Sequence, residues 1–223
     1  MSRRPRSFAS SGPGPKEAVL LLALAGCGGE ESFVPGSRFA VAVMAFEAGE
    51  QAGFGQDRMP DVVLGPPRGT GVAVGSTDVV SLGVGGSIVV ELGVTAVDGD
   101  GPDLVVFENA FRRGGTGPLF AEPGQVGASE DGVTFVDWPC DSEPEGFAGC
   151  AGVTPVHANA DENDIDPTDP SEAGGDAFDL GAIGVARARF VRVRDWGIDY
   201  GFGAPTGGFD LDAVAVIHAA PSP

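Results

Sequence analysis

Glycine and proline punctuate this chain so closely that no long helix can be drawn through it. They supply 37 and 18 of the 223 residues. In a helix interior glycine costs about 1 kcal/mol and proline about 3. Between them lie short Val/Ile/Leu/Phe runs, the pattern of many short strands joined by many turns. A glycine and proline share this high also occurs in low-complexity disorder, but the chain is 42% hydrophobic and gathers those residues into runs, which excludes bulk disorder. The runs cover 38–46, 61–64, 78–82, 86–92, 103–109, 125–129, 133–137, 186–194 and 209–217. The first alternates large and small apolar residues, as in a strand buried on both faces. Gly83-Val84-Gly85 reads as a hairpin-like break, and Asp131-Gly132 as a strong turn signal. In 186–194 the alternation slips near Phe190-Val191, which marks a bulge. Beyond the N-terminal segment no stretch has a helical period. About ten strands in about 185 residues predict an all-β chain, one jelly-roll β-sandwich over residues 38–219 with an irregular acidic insertion at 139–176.

Acids outnumber bases 32 to 13, for a formal charge of −19. Such a surface repels phosphate backbones and argues against nucleic-acid partners. The acids cluster. Asp98, Asp100 and Asp103 fall in one glycine-rich turn, Asp164, Asp166 and Asp169 repeat that spacing in the insertion, and Asp210 and Asp212 stand two apart on the last strand, hence on one face. Calcium takes six to eight oxygen ligands, which flexible acidic turns supply. Calcium is therefore the candidate structural cofactor, with Asp98, Asp100, Asp103, Asp210 and Asp212 as its candidate ligands. The alternative is a set of solvated acidic loops. No cluster matches the EF-hand loop, and two histidines without paired spacing, His157 and His218, speak against zinc. Arg187, Arg189, Arg192 and Arg194 stud one strand. They are read as covering an acidic sheet face with ion pairs, the alternative being an anion-binding stripe.

Catalysis finds little support. There is no Gly-x-Ser-x-Gly element, although carboxylate pairs suited to glycoside hydrolysis stay open because their spacing in space is not visible in a sequence. The chain is read as non-catalytic. Its aromatics point to binding: Trp138, and Trp196, Tyr200 and Phe202 beside Asp199 in a glycine-rich loop. Rings beside carboxylates suit sugar rings or a flat ligand. For Trp138 a ring plugging the end of the sandwich is an equal reading.

Residues 1–26 carry Arg3, Arg4, Arg6 and Lys16, then a short apolar stretch, Ala18–Leu24, too short to span a bilayer but sufficient for a signal-peptide core. Leu24-Ala-Gly-Cys27 resembles a bacterial lipobox. The resemblance implies cleavage before Cys27, its lipidation, a tether over 27–37, and, with Gly28 rather than an acid next, the outer membrane. Cleavage would lower the bases from 13 to 9 and the acids from 32 to 31, for a charge of −22, and leave no lysine. With Cys27 lipidated, Cys140 and Cys150 remain, and in an oxidising compartment a disulfide is the default reading. A metal or redox pair is the alternative.

Several segments together resemble a known family. Val126-Gly-Ala-Ser-Glu-Asp-Gly-Val-Thr-Phe135 and Ala188-Arg-Phe-Val-Arg-Val193 are similar to the hairpin and strand of galactose-binding-like (discoidin-type) sandwiches. Gly85-Gly-Ser-Ile88, Asp103-Leu-Val-Val-Phe-Glu-Asn-Ala-Phe111 and Glu122-Pro-Gly-Gln-Val126 resemble bacterial cell-surface lipoproteins. The likeness covers about 60–218. It implies the sandwich and a surface location. Some members look like receptors that capture cobamides (vitamin B12) beside outer-membrane uptake systems, which implies a TonB-type receptor as a possible partner. Three functions are thus in view: glycan binding first, cobamide capture second, and a structural or adhesive surface role without a small ligand third.

Overall fold

The computed structural model describes residues 36–141, 147–198 and 204–221. It is all-β, as the runs predict. In chain order the strands are β1 (Ala40–Glu47), β2 (Val80–Ser81), β3 (Ser87–Val97), β4 (Leu104–Phe107), β5 (Phe111–Arg112), β6 (Leu119–Phe120), β7 (Gly124–Ser129), β8 (Val136–Asp137), β9 (Asp176–Phe178), β10 (Arg187–Asp195), β11 (Asp210–Leu211) and β12 (Ala213–Val216). All pairings between them are antiparallel. A front sheet has the order β1-β3-β10-β7-β8, a back sheet the order β12-β4-β9, and β11-β2 and β5-β6 form two-stranded ribbons. Front residues Ile88, Val90, Val126, Val191 and Val193 share one buried cluster with Leu104, Val106, Phe178, Val214 and Val216 of the back sheet. Two sheets facing each other across one apolar core make a β-sandwich.

Local sequence explains the front sheet. In β3 the odd-even alternation turns Ile88, Val90 and Leu92 inward. β10 keeps Ala188 inside, shifts register between Ala188 and Phe190, then turns Val191, Val193 and Asp195 inward. This is the predicted bulge. The turn from β7 to β8 is built by Asp131, whose Oδ1 accepts from the Ser129 hydroxyl and from the N–H groups of Val133 and Thr134 at 2.8 Å. Gly132 takes the positive φ the turn requires.

Three expectations are corrected. β1 is an edge strand with only β3 beside it, and Met44 is exposed, so it is not buried on both faces. Apolar alternation cannot tell an edge from a centre. Residues 61–63 form a short 3₁₀ turn rather than a strand. Gly83–Gly85 does not join a hairpin: β2 pairs with β11, whereas β3 pairs with β1 and β10. The glycines turn the chain from the β11-β2 ribbon into the front sheet.

The insertion is irregular, yet it is packed. Val156, Ala158 and Ala173 form a second cluster with Val105, Phe107, Ala213 and Ala215, the outward side chains of β4 and β12. The back sheet is therefore buried on both faces, which is why β4 reads as an unbroken apolar run. A four-residue helix, Pro170–Ala173, is capped by Asp169, which accepts from the Ser171 N–H. Among the described residues no helix is long and apolar enough to cross a membrane.

Candidate metal centre

Three buried carboxylates meet where β4 ends and where β7 and β11 begin. Glu108 directly follows β4, Glu122 precedes β7 across Pro123, and Asp210 opens β11. One oxygen from each lies within 4.8 Å of the others. Glu108 is 2% exposed, Glu122 1% and Asp210 5%. Their donors are too few. Asp210 accepts from the Ser81 hydroxyl and from Asn109 Nδ2 at 3.2 Å, and Glu122 Oε1 accepts from the Gly208 N–H at 2.9 Å. Both oxygens of Glu108, Glu122 Oε2 and Asn109 Oδ1 are buried without any hydrogen-bond partner. None of the ion pairs among the described residues includes these three acids.

A carboxylate removed from water without donors or a counter-charge is strongly disfavoured in its ionised form. Burial, reinforced by the charges of Asp210, Glu122 and Asp176, holds Glu108 well above the ordinary carboxylate range. The nearby Asp210 N–H, the last of these influences, opposes it without completing a hydrogen bond. Burial and then the Asp210 charge push Glu122 up to about 8. Burial raises Asp210 to about 6 against the lowering effect of Ser81 and Asn109. A positive ion at the meeting point would reverse all three. The group could hold a metal ion, and its donors are oxygen only.

The second acidic group answers more closely to the sequence. Asp98, Asp103 and Asp179 also bring one oxygen each within 4.8 Å of the others. Asp103 is fully buried but saturated: Gly99 N–H donates to Oδ1 at 2.9 Å, Leu180 N–H donates to Oδ2 at 2.8 Å, and His218 Nδ1 lies 2.8 Å from Oδ1. Asp179 Oδ1 accepts from the Gly181 N–H at 2.7 Å. Asp100, predicted alongside them, is exposed and belongs to neither group.

Asp210 and Asp212, predicted on one face, part company. The chain leaves β2 for β4 at Asp212, so the two strands around it, β11 and β12, have different partners. Both oxygens of Asp212 accept from the Arg68 N–H, at 3.1 and 2.9 Å, and burial pushes its carboxyl up to about 8. It ties the segment at residue 68 to the last strands. Asp176 does the same for the insertion, accepting from Gly152 and Val153 N–H at 2.7 and 3.0 Å and from the Thr154 hydroxyl at 2.7 Å. In the insertion's own acidic turn, Asp166 accepts from the N–H and hydroxyl of Thr168, both at 2.8 Å.

Of the predicted binding aromatics, Trp138 is a core residue. It is 5% exposed, its indole N–H donates to the Asp179 carbonyl at 2.8 Å, and its ring packs on Phe178 at 5.1 Å. A ring so enclosed has no face to offer a ligand. Trp196 is 38% exposed, and its indole N–H points at Cys140 Sγ. The Cys140–Cys150 disulfide is formed, with Cα atoms 4.6 Å apart. Cys27, Asp199, Tyr200 and Phe202 lie outside the described residues. Asp195, before Trp196, is buried and accepts from Gly85 and Gly197 N–H through Oδ1, both at 2.7 Å, and from Phe209 N–H through Oδ2 at 3.0 Å.

The arginine strand is an ion-pair face. Arg187 pairs with Glu130, Arg189 with Glu91, and Arg192 and Arg194 share Asp137 at 2.8 and 2.7 Å. Arg192 also lies over the Phe135 ring at 4.5 Å. No cation of this strand is left facing an anion site.

Glu108 and Glu122 are the residues that sequence reasoning missed. One signal was present: Glu108 ends the apolar run Leu104–Phe107, where an acid has no solvent to face. Compared with models of protein families and with curated proteins, the chain matches none.

Proposed function

We propose that the protein is an exported, lipid-anchored, non-catalytic surface protein. In this reading it binds an extracellular glycan on a β-sandwich stabilised by calcium. The observation that carries the binding reading is Trp196, an open indole beside a buried acid. Its N–H is engaged by the disulfide sulfur and its backbone neighbours are held by Asp195. A ring held at its rim but exposed is suited to stacking against a sugar ring, because little side-chain freedom remains to be lost on binding. Export and the anchor are supported by the lipobox-like segment ending at Cys27 and by the formed disulfide, which suits an oxidising compartment.

The test is a glycan array with the wild type and Trp196→Ala. The expected result is binding by the wild type, its loss in the variant, and an unchanged Tm. No binding to any glycan overturns the glycan reading. A cobalamin absorbance titration on the same sample then decides for or against the cobamide capture implied by the family resemblance. Cys27→Ala is expected to move the protein from the membrane fraction to the soluble one, and persistence in membranes overturns the lipid anchor.

A further inference from the structure

We propose that Glu108, Glu122 and Asp210 form one closed calcium site that clamps β4, the approach to β7, and β11 together. This rests on the calcium part of the reading above and not on its glycan part. Three observations carry it. Glu108 is almost wholly buried with both carboxylate oxygens unpartnered, and Glu122 Oε2 shares that condition. Buried carboxylate oxygens are normally satisfied by donors or ions, and orphans call for an explanation. The three acids also lack a protein counter-charge. No lysine occurs after residue 16, and the arginine ion pairs all go to other acids. Finally, the oxygens converge. An ion equidistant from three oxygens 4.8 Å apart would lie about 2.8 Å from each, a few tenths of an ångström beyond a calcium–oxygen bond of about 2.4–2.6 Å. Small shifts of the three side chains bring them onto a single ion.

The donor set selects among cations. Its three donors are carboxylate oxygens, with no imidazole or thiolate among them. Hard oxygen donors suit calcium, magnesium or manganese rather than zinc or copper. Magnesium keeps several waters in strict octahedral geometry, for which a site this enclosed leaves little access. Calcium accepts irregular geometry and a bidentate carboxylate, which Glu108 can supply with its two free oxygens. The clamp also reaches the segment that enters β11. The other oxygen of Glu122 already accepts from the Gly208 N–H, so an ion that fixes Glu122 also fixes the segment leading into β11.

The experiment uses the full exported chain, stripped with chelator and dialysed at fixed ionic strength, with calcium titrated by calorimetry and by thermal melting. The expected result is one calcium per chain and a rise in Tm. Glu108→Gln and Asp210→Asn should each weaken calcium binding about 100-fold or more and abolish the rise, since affinity follows ligand charge and number. Asp98→Asn should retain both. If Glu108→Gln does not fold, Asp210→Asn supplies the same readout. Calcium binding and stabilisation in the wild type that survive in Glu108→Gln or Asp210→Asn overturn this site and leave the calcium reading standing. No calcium binding in the wild type overturns both. Equal stabilisation by magnesium at the same concentration overturns the selectivity for calcium.

Discussion

Asp103 and Glu108 stand at the two ends of the same short strand, β4, and both are removed from water. Asp103 meets two backbone N–H groups and His218, while neither oxygen of Glu108 has a hydrogen-bond partner, and only the Asp210 N–H lies near it to oppose the effect of burial. Burial alone therefore does not identify an ion site. Burial with donors makes a carboxylate a staple for loops, a role that Asp176, Asp195 and Asp212 share. Burial without donors leaves a charge that only a proton or a cation can compensate. The two ends of one strand show both outcomes.

The comparison can be broken most directly by removing Asp103. Asp103→Ala orphans the buried Leu180 N–H, worth about 1–3 kcal/mol when left unpaired, and frees the N–H of the exposed Gly99 to water. A loss of about 2–3 kcal/mol is expected in thermal or denaturant unfolding, the same with or without calcium. A loss that calcium restores would make Asp103 an ion ligand and erase the contrast.

The next effect is on pH. A carboxylate whose pKa is higher in the folded state holds its proton more tightly there. Its contribution to stability is complete below the unfolded value near 4 and is lost as pH rises through the folded value. With Glu122 at about 8, Asp210 at about 6 and Glu108 held well above the ordinary range, the chelated protein should lose stability progressively from about pH 4 to pH 8. A fall in Tm of about 5 °C corresponds to about 2 kcal/mol in a domain of this size. Saturating calcium should remove the triad's share of that slope and leave the share of Asp212, which burial also raises to about 8. A chelated protein whose Tm rises over this range would contradict the uncompensated burial of the triad.

The smallest effect is expected at the exposed rim of the Asp103 group. Asp98→Asn, and Asp100→Asn outside it, should change stability by less than about 0.5 kcal/mol in a melt with or without calcium. A calcium-dependent loss at Asp98 would turn the saturated group into a second ion site.

Much of the framework was legible because its signals are local. The Ser129–Thr134 turn follows from Asp131 and Gly132, the bulge in β10 from a slip in alternation, and the disulfide from two cysteines in a short loop. What escaped depends on neighbours. The edge position of β1 is set by which strands pair with it. The triad joins three segments distant in sequence, so no spacing announces it, whereas Asp98 and Asp103 are close in sequence and were visible for that reason alone. Trp138 was ambiguous because a ring beside a disulfide suits a core or a site equally, and only its contact with Phe178 and its bond to Asp179 decide.

The Asp195 carboxylate bonds to Gly197 through one oxygen and to Phe209 through the other. A single side chain thus pins both ends of the segment 198–208 to the end of β10. The free energy needed to close a loop changes slowly with its length, and these ends are closed whatever lies between them. On the return side the Phe54 N–H donates to the Pro205 carbonyl and the Gly208 N–H to Glu122, so two buried carboxylates, Asp195 and Glu122, set the frame from which this connection leaves β10 and enters β11.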